Sequence, residues 1–91
     1  MEVAVRLTVK GRVQGVGFRW FVQHEAANLE VVGYVKNLPG GDVEVEAEGH
    51  RGQIEELIKS VKRGPAFSNV RDLVVEWKPY TGRYTTFFVD Y

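Results

Sequence analysis

The 91-residue chain has no cysteine, one methionine, three prolines and two histidines. Without cysteine, neither a disulfide framework nor a thiolate metal site can form. No apolar run approaches the roughly 18 residues needed to span a bilayer. From Val3 onward apolar residues alternate with polar ones, which is not the pattern of a signal peptide. A soluble cytoplasmic domain is therefore expected. Charge of one sign is missing too: 12 Lys and Arg balance 12 Asp and Glu, so no global field favours nucleic acid or an anionic membrane. Scarcity of Met, Cys, Asn and Gln is a thermophile-like composition. The length suits one domain, residues 1–91, with a real core, and a monomer is the natural default at this size.

What is present is strong periodicity. Val3, Val5, Leu7 and Val9 alternate with Ala4, Arg6, Thr8 and Lys10, which predicts a strand over Glu2 to Lys10. Phe18, Phe21, Val22, Ala26 and Leu29 recur at helical spacing, predicting a helix from about Phe18 to Leu29. Val31 to Lys36 reads as a second strand. Leu38-Pro39-Gly40-Gly41-Asp42 is turn chemistry, and a third strand follows in which Val43, Val45 and Ala47 alternate with Glu44, Glu46 and Glu48. Ile54, Leu57, Ile58 and Val61 stripe a second helix closed by Arg63-Gly64-Pro65. Val70 to Trp77 and Thr85 to Asp90 complete the set. The order β-α-β-β-α-β plus a terminal strand predicts an α+β, ferredoxin-like sandwich: a four-stranded antiparallel sheet with a short C-terminal strand and both helices on one face. In such a split βαβ unit the first and second strands run parallel with one strand between them. Their C-terminal ends then lie about 10 Å apart, so the glycine-rich stretch "GRVQGVGFRW" and Asn37 should be neighbours.

That stretch, Gly11 to Trp20, is where chemistry concentrates. A helix N-terminus leaves unpaired N–H groups and a partial positive charge, and glycines before it let those groups converge on an anion. Arg19 has the wrong sign for the first helical turn unless an anion sits there, and its guanidinium holds two phosphate oxygens at once. Gly15, Val16, Gly17, Phe18 and Arg19 thus form a candidate phosphoryl cradle. The same residues also fit a tight turn whose arginine extends into water. No Gly-Lys-Ser/Thr follows, and Trp20 stands where a third glycine would complete a dinucleotide motif. Asn37 ends a strand otherwise reading "VVGYVK". Its carboxamide can orient a water molecule for in-line attack, or simply open the turn at Leu38-Pro39.

Other chemistries find little support. His24 and His50 read as surface or packing residues, and Ser60 and Ser68 lack a visible His/Asp partnership. The alternating glutamates read as a solvated sheet face rather than a metal site. Any reaction here should proceed with no metal or cofactor.

"GRVQGVGFR" resembles the first signature of the acylphosphatase family, and "GYVKNLPGGDVEVEAEG" its second, with Gly33, Asn37, Gly41, Val43 and Gly49 in register. "RGPAFSNV" fits the segment after the second helix. Gly40 departs from the polar residue common there, which touches turn chemistry. The resemblance implies hydrolysis of acyl phosphates such as acetyl phosphate, carbamoyl phosphate or 1,3-bisphosphoglycerate, with inorganic phosphate as product and inhibitor. It implies that Arg19 and the N–H groups of Gly15 to Arg19 bind the phosphoryl group and that Asn37 positions the water. The carboxylate of Tyr91 is a further candidate to hold Arg19. Two other functions share the topology: a similar domain within a hydrogenase-maturation carbamoyltransferase, and an RNA-binding module suggested by the aromatic "YTTFFVDY".

Overall fold

The hydrophobic stripes find their partners in a computed structural model that describes residues 1–91. The elements are β1 (Glu2–Arg12), α1 (Phe18–Asn28), β2 (Val32–Asn37), β3 (Val43–His50), α2 (Arg51–Arg63), β4 (Asn69–Lys78) and β5 (Phe87–Asp90). They form one five-stranded sheet in the order β4-β1-β3-β2-β5. β3 pairs antiparallel with both β1 and β2, and β4 lies antiparallel against β1. β5 adds to the far edge parallel to β2, so the sheet is mixed. The α+β, ferredoxin-like architecture is as expected. The last strand is shorter than its apolar pattern, although the Gly33 N–H already donates to the Thr86 carbonyl at 3.0 Å. No helix is long and apolar enough to cross a membrane.

The core follows from the two periodicities. Val5, Leu7 and Val9 of β1 and Val43, Val45 and Ala47 of β3 face the helices, meeting Phe18, Val22 and Ala26 of α1 and Ile54, Leu57 and Val61 of α2. Helix α1 stops one residue before the predicted Leu29. Glu30 turns left-handed at φ 58°, and the Val31 N–H returns to the Ala26 carbonyl at 3.0 Å, a Schellman closure. Gly33 also takes a positive φ, and a Cβ there would collide with the Glu46 carbonyl of β3. Only glycine lets β2 approach so closely.

The other sheet face corrects the reading of the glutamates as solvated. Glu46 and Glu48 are only 8% and 3% exposed. The chain after β4 crosses over them. Both Glu48 oxygens accept hydrogen bonds, from the Thr81 hydroxyl at 2.6 Å and the Gly82 N–H at 2.9 Å. Glu46 is ringed by Lys78 at 3.0 Å, Arg83 at 3.4 Å and Arg6 at 3.6 Å. These carboxylates stay buried because each finds donors or cations to replace water. Beside them the Tyr34 hydroxyl donates to Glu44 at 2.6 Å. Burial and the facing Glu44 carboxylate hold its pKa well above the ordinary tyrosine range.

Candidate active site

β1 and β2 flank the same residue of β3: Val9 and Asn37 are both paired with Val43. Just past Val9, β1 shifts register against β4 between Lys10 and Gly11. This bulge turns the chain into the loop that feeds α1. The loop alternates anchors with bare backbone. Val13 and Phe18 are each 1% exposed, and Val16 packs against the core. Between them Gly15 and Gly17 sit in open space at φ 74° and 77°. Their glycine character serves the left-handed backbone and not a close approach. The loop is therefore pinned at its apolar residues while its peptide groups remain free.

Those peptide groups have no internal partners. Gly17 caps α1 without a side-chain hydrogen bond, and no acidic residue occupies the first turn. The first helical bond runs from the Phe21 N–H to the Gly17 carbonyl at 3.0 Å, so the N–H groups of the first turn point outward unsatisfied. They border a cavity of about 220 Å³ lined by Gly15, Gly17, Phe18, Arg19 and Asn37 among others. The expected residues thus converge, with one exception: the Val16 side chain is directed to the core and only its main chain belongs to the loop.

Two polar groups in this cavity lack protein partners. Asn37 Oδ1 is buried and accepts no hydrogen bond. A buried amide oxygen left unpaired costs about 1–3 kcal/mol, so its retention points to a partner from outside the chain. Arg19 is the cavity's only charged side chain, and its guanidinium lies 4.8 Å from the centre of the Tyr91 ring. The aromatic face, and not the expected carboxylate, is what Tyr91 sets against Arg19. That cation–π contact orients the guanidinium without neutralising it.

Gln14 is the residue that the sequence reading passed over. Its Nε2 donates to the Leu38 carbonyl at 2.9 Å and the Asp42 carbonyl at 2.8 Å. Lys10 adds an ion pair to Asp42 at 2.9 Å. The turn that follows Asn37 is thereby stapled to the glycine loop, fixing the distance between Asn37 and the helix N-terminus. The available signal was topological: once the two loops are neighbours, Gln14 is the one long polar side chain between Val13 and Gly15 able to bridge them. The histidines lie elsewhere: His50 Nδ1 accepts from the Gly52 N–H at 3.3 Å to cap α2, and His24 stacks on Trp20.

Residues 5–89 match the family model described as Acylphosphatase. An acylphosphatase of Caldivirga maquilingensis is 48% identical over 98% of this chain and 95% of its own. The crystal structure of acylphosphatase from Bacillus subtilis is 40% identical, with a TM-score of 0.95 over 98% of this chain and 99% of that one. Full-length HypF, crystallised in a phosphate- and nucleotide-bound form, is 28% identical with a TM-score of 0.87 over 99% of this chain but 12% of its own. A family model that spans residues 5–89 and relatives 40–48% identical over 98% of the chain leave one conclusion: the chain belongs to the acylphosphatase family.

Proposed function

We infer that this chain hydrolyses the carboxyl–phosphate bond of acyl phosphates, with Arg19 and Asn37 as its catalytic residues. The observation that carries the role of Asn37 is the orphaned Oδ1, buried beside a bare helix N-terminus and the unpaired guanidinium of Arg19. The phosphoryl oxygens take the N–H groups of Gly15, Val16, Gly17, Phe18 and Arg19 together with the Arg19 fork. Such donors are fixed before substrate arrives, so little reorganisation accompanies the charge shift at phosphorus. Asn37 Oδ1 accepts a hydrogen bond from water and aims its lone pair at phosphorus. As the new P–O bond forms, the bond to the acyl oxygen breaks and its electron pair leaves as carboxylate. The water's proton passes to a phosphoryl oxygen of the substrate, since a carboxylate leaving group needs no protonation.

Phosphate release from acetyl or benzoyl phosphate, with EDTA present and a phosphomonoester as control, tests the reaction class. Turnover of the anhydride alone, undiminished by chelator, is expected; equal turnover of the monoester would refute the assignment. A sharp enzyme-derived limb near neutral pH would count against proton transfer to substrate. The likeness to HypF supports a second reading, a domain serving carbamoyl phosphate within a longer maturation protein. A strong preference for carbamoyl over acetyl phosphate would favour it. RNA binding is the weaker rival, because Glu44, Glu46 and Glu48 run along the middle of the face a base-stacking sheet would use.

A further inference from the structure

Trp20 has no part in the chemistry above, yet it stands at its edge. It lies in the first turn of α1, is 67% exposed, and lines the same cavity as Arg19 and Asn37. Its indole lies flat on the imidazole of His24, one turn onward, with ring centroids 5.1 Å and planes 10° apart. That i, i+4 stack holds the indole in place, so little side-chain freedom remains to be lost when a ligand settles against it. Trp20 and Gln23 also border a second hollow, which reaches His24, Ala27 and Thr86 at the seam between α1 and the approach to β5. Arg19 is the only permanently charged side chain around the two hollows.

We propose that Trp20, with Gln23 beside it, forms the acyl-group subsite of this enzyme and selects neutral, planar acyl groups over small or anionic ones. The proposal rests on the hydrolytic reading. With the phosphoryl group on Arg19 and the loop N–H groups, the acyl end must lie against the remaining walls. Those walls offer the Trp20 indole, the Gln23 carboxamide, the aliphatic Val13 and Val89 and the Tyr91 ring already engaged by Arg19, with no second cation. A benzoyl ring covers the indole and gains stacking and buried area. An acetyl group is too small to cover it. The second phosphate of 1,3-bisphosphoglycerate would lie against an apolar ring and find no countercharge.

The test compares kcat/KM for benzoyl phosphate and acetyl phosphate in the wild type, Trp20→Ala, Trp20→Phe and His24→Ala. Intrinsic leaving-group reactivity is common to all four proteins and cancels when their benzoyl-to-acetyl ratios are compared. Trp20→Ala is expected to lower the ratio about threefold to tenfold, the worth of one aromatic pair, mainly through KM for benzoyl phosphate. Trp20→Phe keeps most of the ratio. His24→Ala, which frees the indole, lowers it by less than Trp20→Ala does. The ratio of benzoyl phosphate to 1,3-bisphosphoglycerate is expected to fall in Trp20→Ala as well, and an unchanged or raised ratio would overturn the selectivity. An unchanged ratio in Trp20→Ala overturns the subsite while leaving hydrolysis intact. Failure of the wild type to cleave either anhydride would overturn the hydrolytic reading instead.

Discussion

Replacing Asn37 by alanine should slow the enzyme and stabilise it together. Asn37 lies at the C-terminal end of β2, paired with Val43, and presents a buried Oδ1 without a hydrogen bond. Loss of one group that acts only in the transition state costs about 10²–10³-fold in kcat. Phosphate inhibition should persist within about threefold, because Arg19 and the loop N–H groups are untouched. Stability moves the other way. The orphaned oxygen costs about 1–3 kcal/mol, and alanine removes it while giving up the modest contacts of a half-buried side chain. A net gain of about 1 kcal/mol corresponds to a rise of roughly 4–8 °C in Tm for a domain of this size. Acetyl phosphate hydrolysis, phosphate inhibition and calorimetry on one protein preparation read all three quantities. A near-normal kcat would refute water positioning, and a fall in Tm would refute the claim that the oxygen waits for a partner from outside.

Arg19→Lys should lose about 10²-fold or more in kcat/KM, since an ammonium supplies the charge without the bidentate fork; near-wild-type kinetics would show that charge alone suffices. Gln14→Ala removes two hydrogen bonds across the loops, while the Leu38 carbonyl keeps the Gly41 N–H and the Asp42 carbonyl keeps the Leu38 N–H, so urea titration should show a loss of about 1–3 kcal/mol, the worth of the two bonds. Because the staple also fixes Asn37 against the loop, kcat should fall more than phosphate affinity, and equal falls would reduce Gln14 to a purely structural residue. Tyr34 gives a pH prediction whose sign is fixed by its raised pKa. The unfolded chain ionises this phenol near pH ~10 while the folded chain keeps it neutral. The stabilisation is therefore intact below that pH and is lost as pH rises above it. Urea midpoints at pH 9 and 11 should fall more steeply for the wild type than for Tyr34→Phe, and parallel falls would remove Tyr34 as the cause.

The elements were legible because each buries one face against one partner. Val5, Leu7 and Val9 on one face of β1, and Ile54, Leu57 and Val61 on one stripe of α2, encode their own periods. The meeting of Asn37 with the glycine loop followed from topology alone, since parallel strands of a split βαβ unit end on the same side. What stayed hidden depended on chain that is far away in sequence. Glu46 and Glu48 carry the same alternation as a wet face, and nothing local reveals that Thr81, Gly82 and Arg83 return to cover them. Likewise "TTFFVDY" announces a strand without saying that it joins the β2 edge in parallel. A short apolar run defines its own conformation but not its neighbour.

Covering those glutamates has a consequence for the cavity, and it explains how a chain of zero net charge can hold an anion site. The carboxylates of β3 and of the turn before it are already answered: Glu46 by Lys78, Arg83 and Arg6, Glu44 by Lys36 at 3.8 Å, and Asp42 by Lys10. Glu48 is answered by N–H and O–H donors of the crossing segment. None of them lines the cavity, where Arg19 stands alone with the positive end of α1. Screening leaves exposed charges little influence beyond about 8–10 Å, so the local imbalance, and not the molecular total, sets what this site attracts. Sorting makes the site within a neutral whole: the β3 glutamates are paired on one sheet face and an unpaired cation is kept at the loop end.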